Sequence, residues 1–274
     1  MTDRKKNILF IISAYGFFWA MLAGLVILVF TETINAEGTV FELLRVVACW
    51  APTIAILLFR KKLCPNGSVK EFYQTTFKSR LNLPLLLTVT LIQMAIFIAG
   101  TFTLTFFAKN LSFGSVFDFS LKTIGMGVLW TVLQGATGEE SGWRGFLQPS
   151  FEKKHSVIKS SLFVGIIWAF WHTPLWLLEA FTPGRMIQYA LSFLLFCVSI
   201  SVIIGICYKL CRNLFIPVWI HFVFNVFFPV ITESLINDTD NYANFMTLMC
   251  LFYAVAAGGF IFWHIKKNGG KSVL

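Results

Sequence analysis

Charged residues are scarce in this sequence, and their scarcity excludes a water-soluble globular domain. Asp, Glu, Lys and Arg make up only 13% of the 274 residues, whereas 57% are hydrophobic and the mean hydropathy is +0.75. Soluble domains carry about 25% charged residues. A membrane span needs about 20 apolar residues, so the chain has room for several spans but not for a sizeable soluble domain as well. We therefore predict a single integral membrane domain over residues 1–274.

Polar segments between the apolar runs are short, and the longest connection, residues 60–83, is a polar basic loop rather than a domain. We predict an all-α polytopic protein with eight transmembrane helices, and the polar groups found within these runs predict a polar site inside the helix bundle. The predicted spans lie near residues 8–30, 39–59, 84–108, 122–146, 160–181, 186–208, 214–235 and 244–264.

Acidic residues are few, 13 against 22 basic ones, and the net charge of +9 raises the question of a nucleic-acid partner. Most of the basic residues fall in alternate loops and at both ends of the chain, whereas the other loops contain only Lys109, Lys122 and Arg185. This is the distribution of the positive-inside rule. It predicts a multi-pass protein with both termini cytoplasmic, which we expect in a bacterial plasma membrane, with the lipid bilayer and not nucleic acid as its partner.

Two familiar cysteine and metal signatures are absent. The six cysteines form neither a CxxC motif nor a Cys/His ligand spacing, so no disulfide framework is predicted. The HExxH pattern is also missing, which removes the strongest sequence sign of zinc but leaves other ligand spacings open. We expect no cofactor, with a divalent metal ion as the alternative.

Ionisable side chains within membrane spans are costly and are functional candidates by default. Glu42 and Arg45 lie near the start of the second predicted span, at its outer end, where we interpret them as a snorkelling pair without a role. Three other predicted helices place polar groups at overlapping depth, counted at about 1.5 Å per residue. These candidates are Glu139, Glu140 and Arg144 in the fourth span, His172 in the fifth, and His221 with Asn225 in the seventh.

Each candidate has a structural alternative. Glu140 and Arg144 share a helix face and can form an ion pair that only joins helices, although this leaves Glu139 on another face unexplained. His172 precedes Pro174, which leaves a backbone carbonyl without its donor and predicts a kink there. The histidine can simply bond to a nearby carbonyl. His221 and Asn225 can form a helix-packing hydrogen bond.

Taken together, the candidates suit hydrolysis of a peptide bond inside the membrane. A carboxylate and a histidine on adjacent helices can hold and deprotonate a water molecule. A donor pair such as His221 and Asn225 can stabilise the oxyanion that forms when the water attacks a carbonyl carbon. The same histidines and carboxylates could instead ligate zinc, although the amide of Asn225 is a poor zinc ligand and favours the metal-free interpretation.

Three ordered motifs resemble those of the CPBP family, the CAAX protease and bacteriocin-processing intramembrane endopeptidases. The segment Glu139-Glu140-Ser141-Gly142-Trp143-Arg144 resembles the family's EExxxR motif. The segment from Trp168 to His172 resembles its second motif, in which Phe is usual where this chain has Trp168. The segment from His221 to Asn225 resembles the third motif, HxxxN/D. The resemblance covers about residues 122–235, which we take as the catalytic core.

The resemblance to type II CAAX prenyl endopeptidases implies a glutamate-type intramembrane protease. By position, Glu139 and His172 would activate the water and His221 with Asn225 would form the oxyanion hole. Glu140 and Arg144 would support the site. The substrate would be a membrane-associated or lipidated peptide or protein, and the resemblance does not imply that it is prenylated. The alternative is a non-catalytic family member acting in bacteriocin immunity or transport. The sequence does not fix the oligomeric state.

Overall fold

The computed structural model describes residues 1–64, 67–178 and 182–269, and in these ranges the regular structure is helical. The only extended pairing there is an isolated bridge between Phe117 and Ile231. A 3-10 turn spans Phe113–Ser115, and a π turn spans Trp143–Leu147. The all-α prediction is therefore confirmed. The α-helices are α1 (Asp3–Phe30), α2 (Thr39–Cys49), α3 (Ala51–Leu58), α4 (Arg60–Leu63), α5 (Val69–Thr76), α6 (Leu83–Phe107), α7 (Leu121–Leu133), α8 (Ala136–Gly142), α9 (Gln148–Glu152), α10 (Val157–Trp171), α11 (Thr173–Leu178), α12 (Pro183–Cys211), α13 (Phe215–Asn225), α14 (Glu233–Asn237) and α15 (Thr239–Lys267).

Four of these helices are long and apolar enough to cross a membrane, namely α1, α6, α12 and α15. The pair α2 and α3 passes the same test together, bent by 55°, and gives a fifth span if the two are counted as one. The central helix is α12, which packs along α10 on one side and α15 on the other. These findings establish an integral membrane protein, and the total of eight spans stays a prediction.

The fourth predicted span differs from the structure because it is not one continuous helix. Helix α7 ends at Leu133, and α8 begins at Ala136 after Gly135, whose φ of 48° lies in the left-handed region. Backbone groups freed inside a membrane need new partners. The indole of Trp50 donates to the carbonyl of Leu133 at 2.8 Å, and the hydroxyl of Thr137 donates to that of Val132 at 2.6 Å.

The fifth predicted span is also broken. Helix α10 ends at Trp171, and α11 starts at Thr173, next to Pro174. Proline has no N–H to donate to the carbonyl four residues earlier. The hydroxyl of Thr173 donates to the carbonyl of Phe170 at 2.5 Å instead. The kink predicted from Pro174 is therefore present as a helix break. Residues 179–181 of this predicted span lie outside the described residues.

The seventh predicted span, residues 214–235, contains a helix of only 11 residues, because α13 ends at Asn225. The chain then turns, and its backbone pairs with the segment before α7. The N–H of Asp118 donates to the carbonyl of Val230 at 2.8 Å, and that of Thr232 donates to the carbonyl of Val116 at 2.9 Å. Two backbone hydrogen bonds therefore hold the turns that follow α13 against the loop that precedes α7.

Polar contacts between loops agree with the alternation of basic residues. Lys153 pairs with Asp3 at 3.1 Å, and both belong to segments predicted to be cytoplasmic. Arg212 and Lys209 pair with Glu152, and these residues also belong to segments predicted to be cytoplasmic. On the side predicted to face outward, Arg185 pairs with Asp240 at 2.6 Å and joins two loops. Each of these ion pairs connects loops that the sequence assigns to the same side.

Candidate active site

Glu139 is a buried carboxylate held by two tryptophans. It lies in α8, immediately before the π turn, a rare geometry that occurs often at functional sites. Its Oε2 accepts hydrogen bonds from the indole nitrogens of Trp168 at 2.6 Å and Trp143 at 3.3 Å. The other oxygen, Oε1, makes no hydrogen bond with the described residues, and Glu139 lines a cavity. One oxygen is therefore fixed by the protein, and the other remains able to accept a proton.

Glu140 joins two of the three motifs. Its Oε1 accepts a hydrogen bond from Nη1 of Arg144 at 2.8 Å, as the four-residue spacing predicts. The same oxygen lies 2.8 Å from Nδ1 of His221 in α13. Glu140 and Arg144 are fully buried, and His221 is nearly so. The guanidinium of Arg144 also lies over the ring of Trp168, 4.9 Å from its centre. A buried carboxylate between two nitrogen donors holds the imidazole in one orientation.

His172 sits at the break between α10 and α11. Its Nδ1 lies 2.8 Å from the carbonyl oxygen of Trp168. Because a carbonyl only accepts hydrogen bonds, Nδ1 carries the proton and the neutral ring has its lone pair at Nε2. The contact that the structural alternative proposed is thus present, and it leaves the other nitrogen able to accept a proton. The ring packs edge-on against Trp171, which in turn stacks on Phe18 of α1.

One cavity of about 370 Å³ brings the candidates together. It is lined by Glu139, His172, His221 and Asn225, from three separate parts of the chain. Much of the remaining wall is apolar and aromatic, with the lining side chains Trp168, Leu175, Trp176, Tyr189, Phe193, Phe196, Phe224, Phe228, Tyr242 and Met246. Glu140 and Arg144 are not among the residues that line this cavity, but they contact two that are, His221 and Trp168.

Gly135 is a site residue that the sequence reasoning missed. A Cβ atom at this position would lie 2.5 Å from Nδ2 of Asn225, 3.5 Å from Nε2 of His221 and 3.7 Å from Oε1 of Glu139. Three of the four candidate side chains that line the cavity thus converge on the bare backbone of one glycine. The sequence carries only a weak signal for this, a Gly four residues before Glu139 within an apolar run.

The indole contacts of Glu139 were also missed. Phe is usual at the place of Trp168 in the motif that this segment resembles, and here the indole N–H of Trp168 reaches the Glu139 carboxylate. Phe at this position could not donate that bond. Trp143 lies inside the EExxxR segment at a variable position, and it donates to the same oxygen. Their spacing from Glu139 and His172 was visible in the sequence, but the direction of their N–H groups was not.

The sequence left a divalent metal ion open as the alternative to a metal-free site. Among the described residues, no group of three or more His, Cys, Asp or Glu side chains is arranged to hold a metal ion. Glu139, His172 and His221 nevertheless line one cavity. Side chains of these types could hold either a zinc ion or a water molecule without a metal.

Comparison with known proteins identifies the same region. The family model described as type II CAAX prenyl endopeptidase Rce1-like matches residues 121–227, which include all six candidate residues. The chain is also 29% identical over 196 residues to CAAX prenyl protease 2 of Methanococcus maripaludis, covering 68% of this chain and 72% of that protein. These matches confirm the resemblance to the CPBP family and indicate a membrane protease.

Proposed function

We propose that this chain is an intramembrane endopeptidase of the glutamate type, acting on a membrane-associated or lipidated peptide or protein. The observation that carries the proposal is the single cavity lined by Glu139, His172, His221 and Asn225. The names of the matching family and of the methanococcal protein support peptide-bond cleavage next to a prenylated cysteine as the first activity to test.

In the proposed reaction, a water molecule lies between Oε1 of Glu139 and Nε2 of His172. Glu139 takes one proton from the water, and the oxygen attacks the carbonyl carbon of the scissile bond. The proton then passes to the leaving nitrogen as the C–N bond breaks. The two indole donors hold the carboxylate in place throughout, so that its free oxygen faces the reacting water.

The developing oxyanion is stabilised by Nδ2 of Asn225 and by Nε2 of His221. His221 can donate from Nε2 while Nδ1–H is bonded to Glu140, which is the imidazolium form. The carboxylate of Glu140 stabilises that charge, and Arg144 donates to the same carboxylate oxygen and holds it in place. Glu140 and Arg144 are thus positioning residues that act through His221.

The experiment incubates the purified protein in detergent with matched prenylated and unlipidated peptides. Mass spectrometry then identifies the products. We expect wild type to release a peptide fragment and Glu139→Gln to release none, because an amide cannot take a proton from water. Both proteins should elute alike in size-exclusion chromatography. Full activity of Glu139→Gln, or no cleavage of any peptide by wild type, would contradict the proposal.

A further inference from the structure

A groove of about 650 Å³ between α6 and α13 lies apart from the catalytic cavity. Apolar side chains of both helices line it, among them Leu83, Leu86, Leu87, Phe215 and Trp219. None of its lining residues lines the catalytic cavity. Trp219 precedes His221 by two residues, which turn a helix by about 200°. The groove therefore lies on the face of α13 opposite to His221.

The groove offers no free polar side-chain group to a ligand. Among the described residues that line it, the polar groups are the hydroxyl of Thr90 and the indole N–H of Trp219. The indole donates to the hydroxyl at 2.9 Å, and the hydroxyl donates to the carbonyl of Leu86 at 2.8 Å. A peptide would leave its own N–H and C=O groups without partners here, whereas a hydrocarbon chain needs none. The walls therefore suit an acyl chain.

The groove is open to the bilayer along α6. Leu83 and Leu87 are 66% and 62% exposed, and α6 is one of the helices able to cross a membrane. From Leu83 to Thr90 the groove runs about 10 Å at 1.5 Å per residue. One leaflet of the hydrocarbon core is about 15 Å thick. An acyl chain can thus enter from the side and lie along the groove within a single leaflet.

Asn213 ties together the starts of the two helices that form the groove. Its side-chain nitrogen donates to the carbonyls of Phe77 at 3.1 Å and Ser79 at 2.5 Å. Its side-chain oxygen accepts from the N–H of Phe215, the first residue of α13, at 2.9 Å. The chain segment that leads into α6 is therefore held against the start of α13, at one end of the groove.

This segment carries two cations, Lys78 and Arg80, on either side of Ser79. Both are exposed, and neither forms an ion pair or a side-chain hydrogen bond with a described residue. They belong to the loop of residues 60–83, which has six basic residues and one acidic residue and is predicted to be cytoplasmic. The cytoplasmic leaflet carries the anionic lipids, and basic pockets between helices on that side bind their headgroups. The charge at this end of the groove is therefore complementary to a lipid phosphate.

We propose that the groove between α6 and α13 binds an anionic phospholipid. Its acyl chain lies against Leu87 and Trp219, and its headgroup phosphate is held by Lys78 and Arg80. A zwitterionic phospholipid offers the same chain but no net charge to the two cations, so the site selects the anionic lipid. The site is separate from peptide cleavage, and its test does not depend on the proposed function.

The test is native mass spectrometry of the purified protein in detergent. The protein receives equal amounts of phosphatidylglycerol and phosphatidylcholine with identical acyl chains, and the spectrum gives the amount of each lipid that stays bound. We expect wild type to retain phosphatidylglycerol in about tenfold excess over phosphatidylcholine, because two basic residues lie at the headgroup.

Charge variants assign the selectivity to this end of the groove. Replacing Lys78 and Arg80 together by Gln should bring the ratio of the two lipids close to one. Replacing Lys61 and Lys62 together by Gln is the matched control, since it removes the same charge from exposed positions of the same loop. The control should keep the full preference.

A second pair of variants tests the acyl-chain part of the site. Leu87→Trp fills the groove from its exposed rim and should reduce retention of both lipids severalfold. Leu91→Trp, one turn farther along α6, is the control, because Leu91 is also exposed but does not line the groove. It should retain phosphatidylglycerol as wild type does.

Any of four results would overturn the proposal. Wild type could retain the two lipids equally, or retain neither. The control at Lys61 and Lys62 could lose the preference as fully as the variant at Lys78 and Arg80, which would indicate a general effect of surface charge. Equal retention by the Leu87 and Leu91 variants would show that the groove holds no acyl chain.

Discussion

Nδ1 of His221 lies 2.8 Å from Oε1 of Glu140, and this oxygen also accepts the hydrogen bond of Arg144. The third motif is thereby joined to the first by a buried carboxylate that never reaches the cavity. An imidazole held in this way has one nitrogen committed to its carboxylate, and His221 also lines the cavity. The contact gives Glu140 a role different from that of its neighbour Glu139.

Glu140→Gln is expected to lower both stability and activity. Arg144 would keep its charge without a partner in a fully buried place, a change that costs on the order of 3 to 5 kcal/mol in proteins. His221 would lose the charge that stabilises its imidazolium. The measurement is thermal unfolding in detergent together with kcat. The exposed Glu37→Gln is the control, and an unchanged unfolding temperature in Glu140→Gln would count against the buried pair.

Trp168→Phe removes one donor from Glu139 and keeps most of the ring volume. Because Phe keeps an aromatic ring in this buried position, the variant should fold. We expect kcat to fall about tenfold, since a hydrogen bond to a charged group contributes about 1.5 to 3 kcal/mol. Trp263→Phe, on an exposed ring of α15, should leave kcat unchanged. Wild-type kcat in Trp168→Phe would show that the indole bond does not position the carboxylate.

Gly135→Ala should disrupt the site more than the fold. The new methyl group would lie 2.5 Å from the Asn225 amide nitrogen, and a φ of 48° is unfavourable for alanine. Displacement of a group by about 1 Å can cost about 10²-fold in rate, so we expect kcat to fall by that order. Gly125→Ala in α7, where a Cβ meets nothing within 4 Å, is the matched control. Equal kinetics of the two variants would be the contrary result.

Asn225→Ala tests the oxyanion role directly. Loss of one oxyanion donor costs about 10² to 10³ in kcat, with KM little changed, because the bond forms mainly in the transition state. Steady-state kinetics of the purified variant give both constants. A rise in KM with kcat unchanged would assign Asn225 to substrate binding instead.

Exhaustive chelation of the wild type distinguishes the glutamate mechanism from a metal-dependent one. We expect activity to persist after chelation and dialysis. If activity is lost and one divalent metal restores it, while His172→Ala and His221→Ala no longer bind that metal, the protein is a metalloprotease. A loss of kcat in Asn225→Ala supports the oxyanion role only if the wild type stays active after chelation.

The orientation predicted from the basic residues can be checked with reporter fusions. A fusion after Leu274 should report the cytoplasm, and one inserted within residues 234–243 should report the opposite side. Inserting the reporter at the loop that contains Lys70 should agree with the C-terminal fusion. The same side for the first two positions would reject the predicted topology.

The sequence by itself determined the class of protein and the chemistry available to it. Scarce charge and long apolar runs require burial in a bilayer, and the polar residues left in three of these runs stand out because a membrane makes them costly. The spacing of Glu140 and Arg144 predicted their ion pair, and Pro174 predicted the break beside His172. These features depend on neighbours along one helix, so local periodicity is enough to find them.

Only the tertiary structure decided how the three helices meet. The break at Gly135 lies against Asn225 and His221, which are more than 80 residues away in the chain, and no local pattern records their approach. The bond from Trp168 to Glu139 and the contact of Glu140 with His221 have the same origin. Arg45 was interpreted as a snorkelling residue from its own helix, and its place in the wall of the catalytic cavity became visible only in the folded structure. Contacts between distant segments depend on helix packing and side-chain direction, which hydrophobic periodicity does not encode.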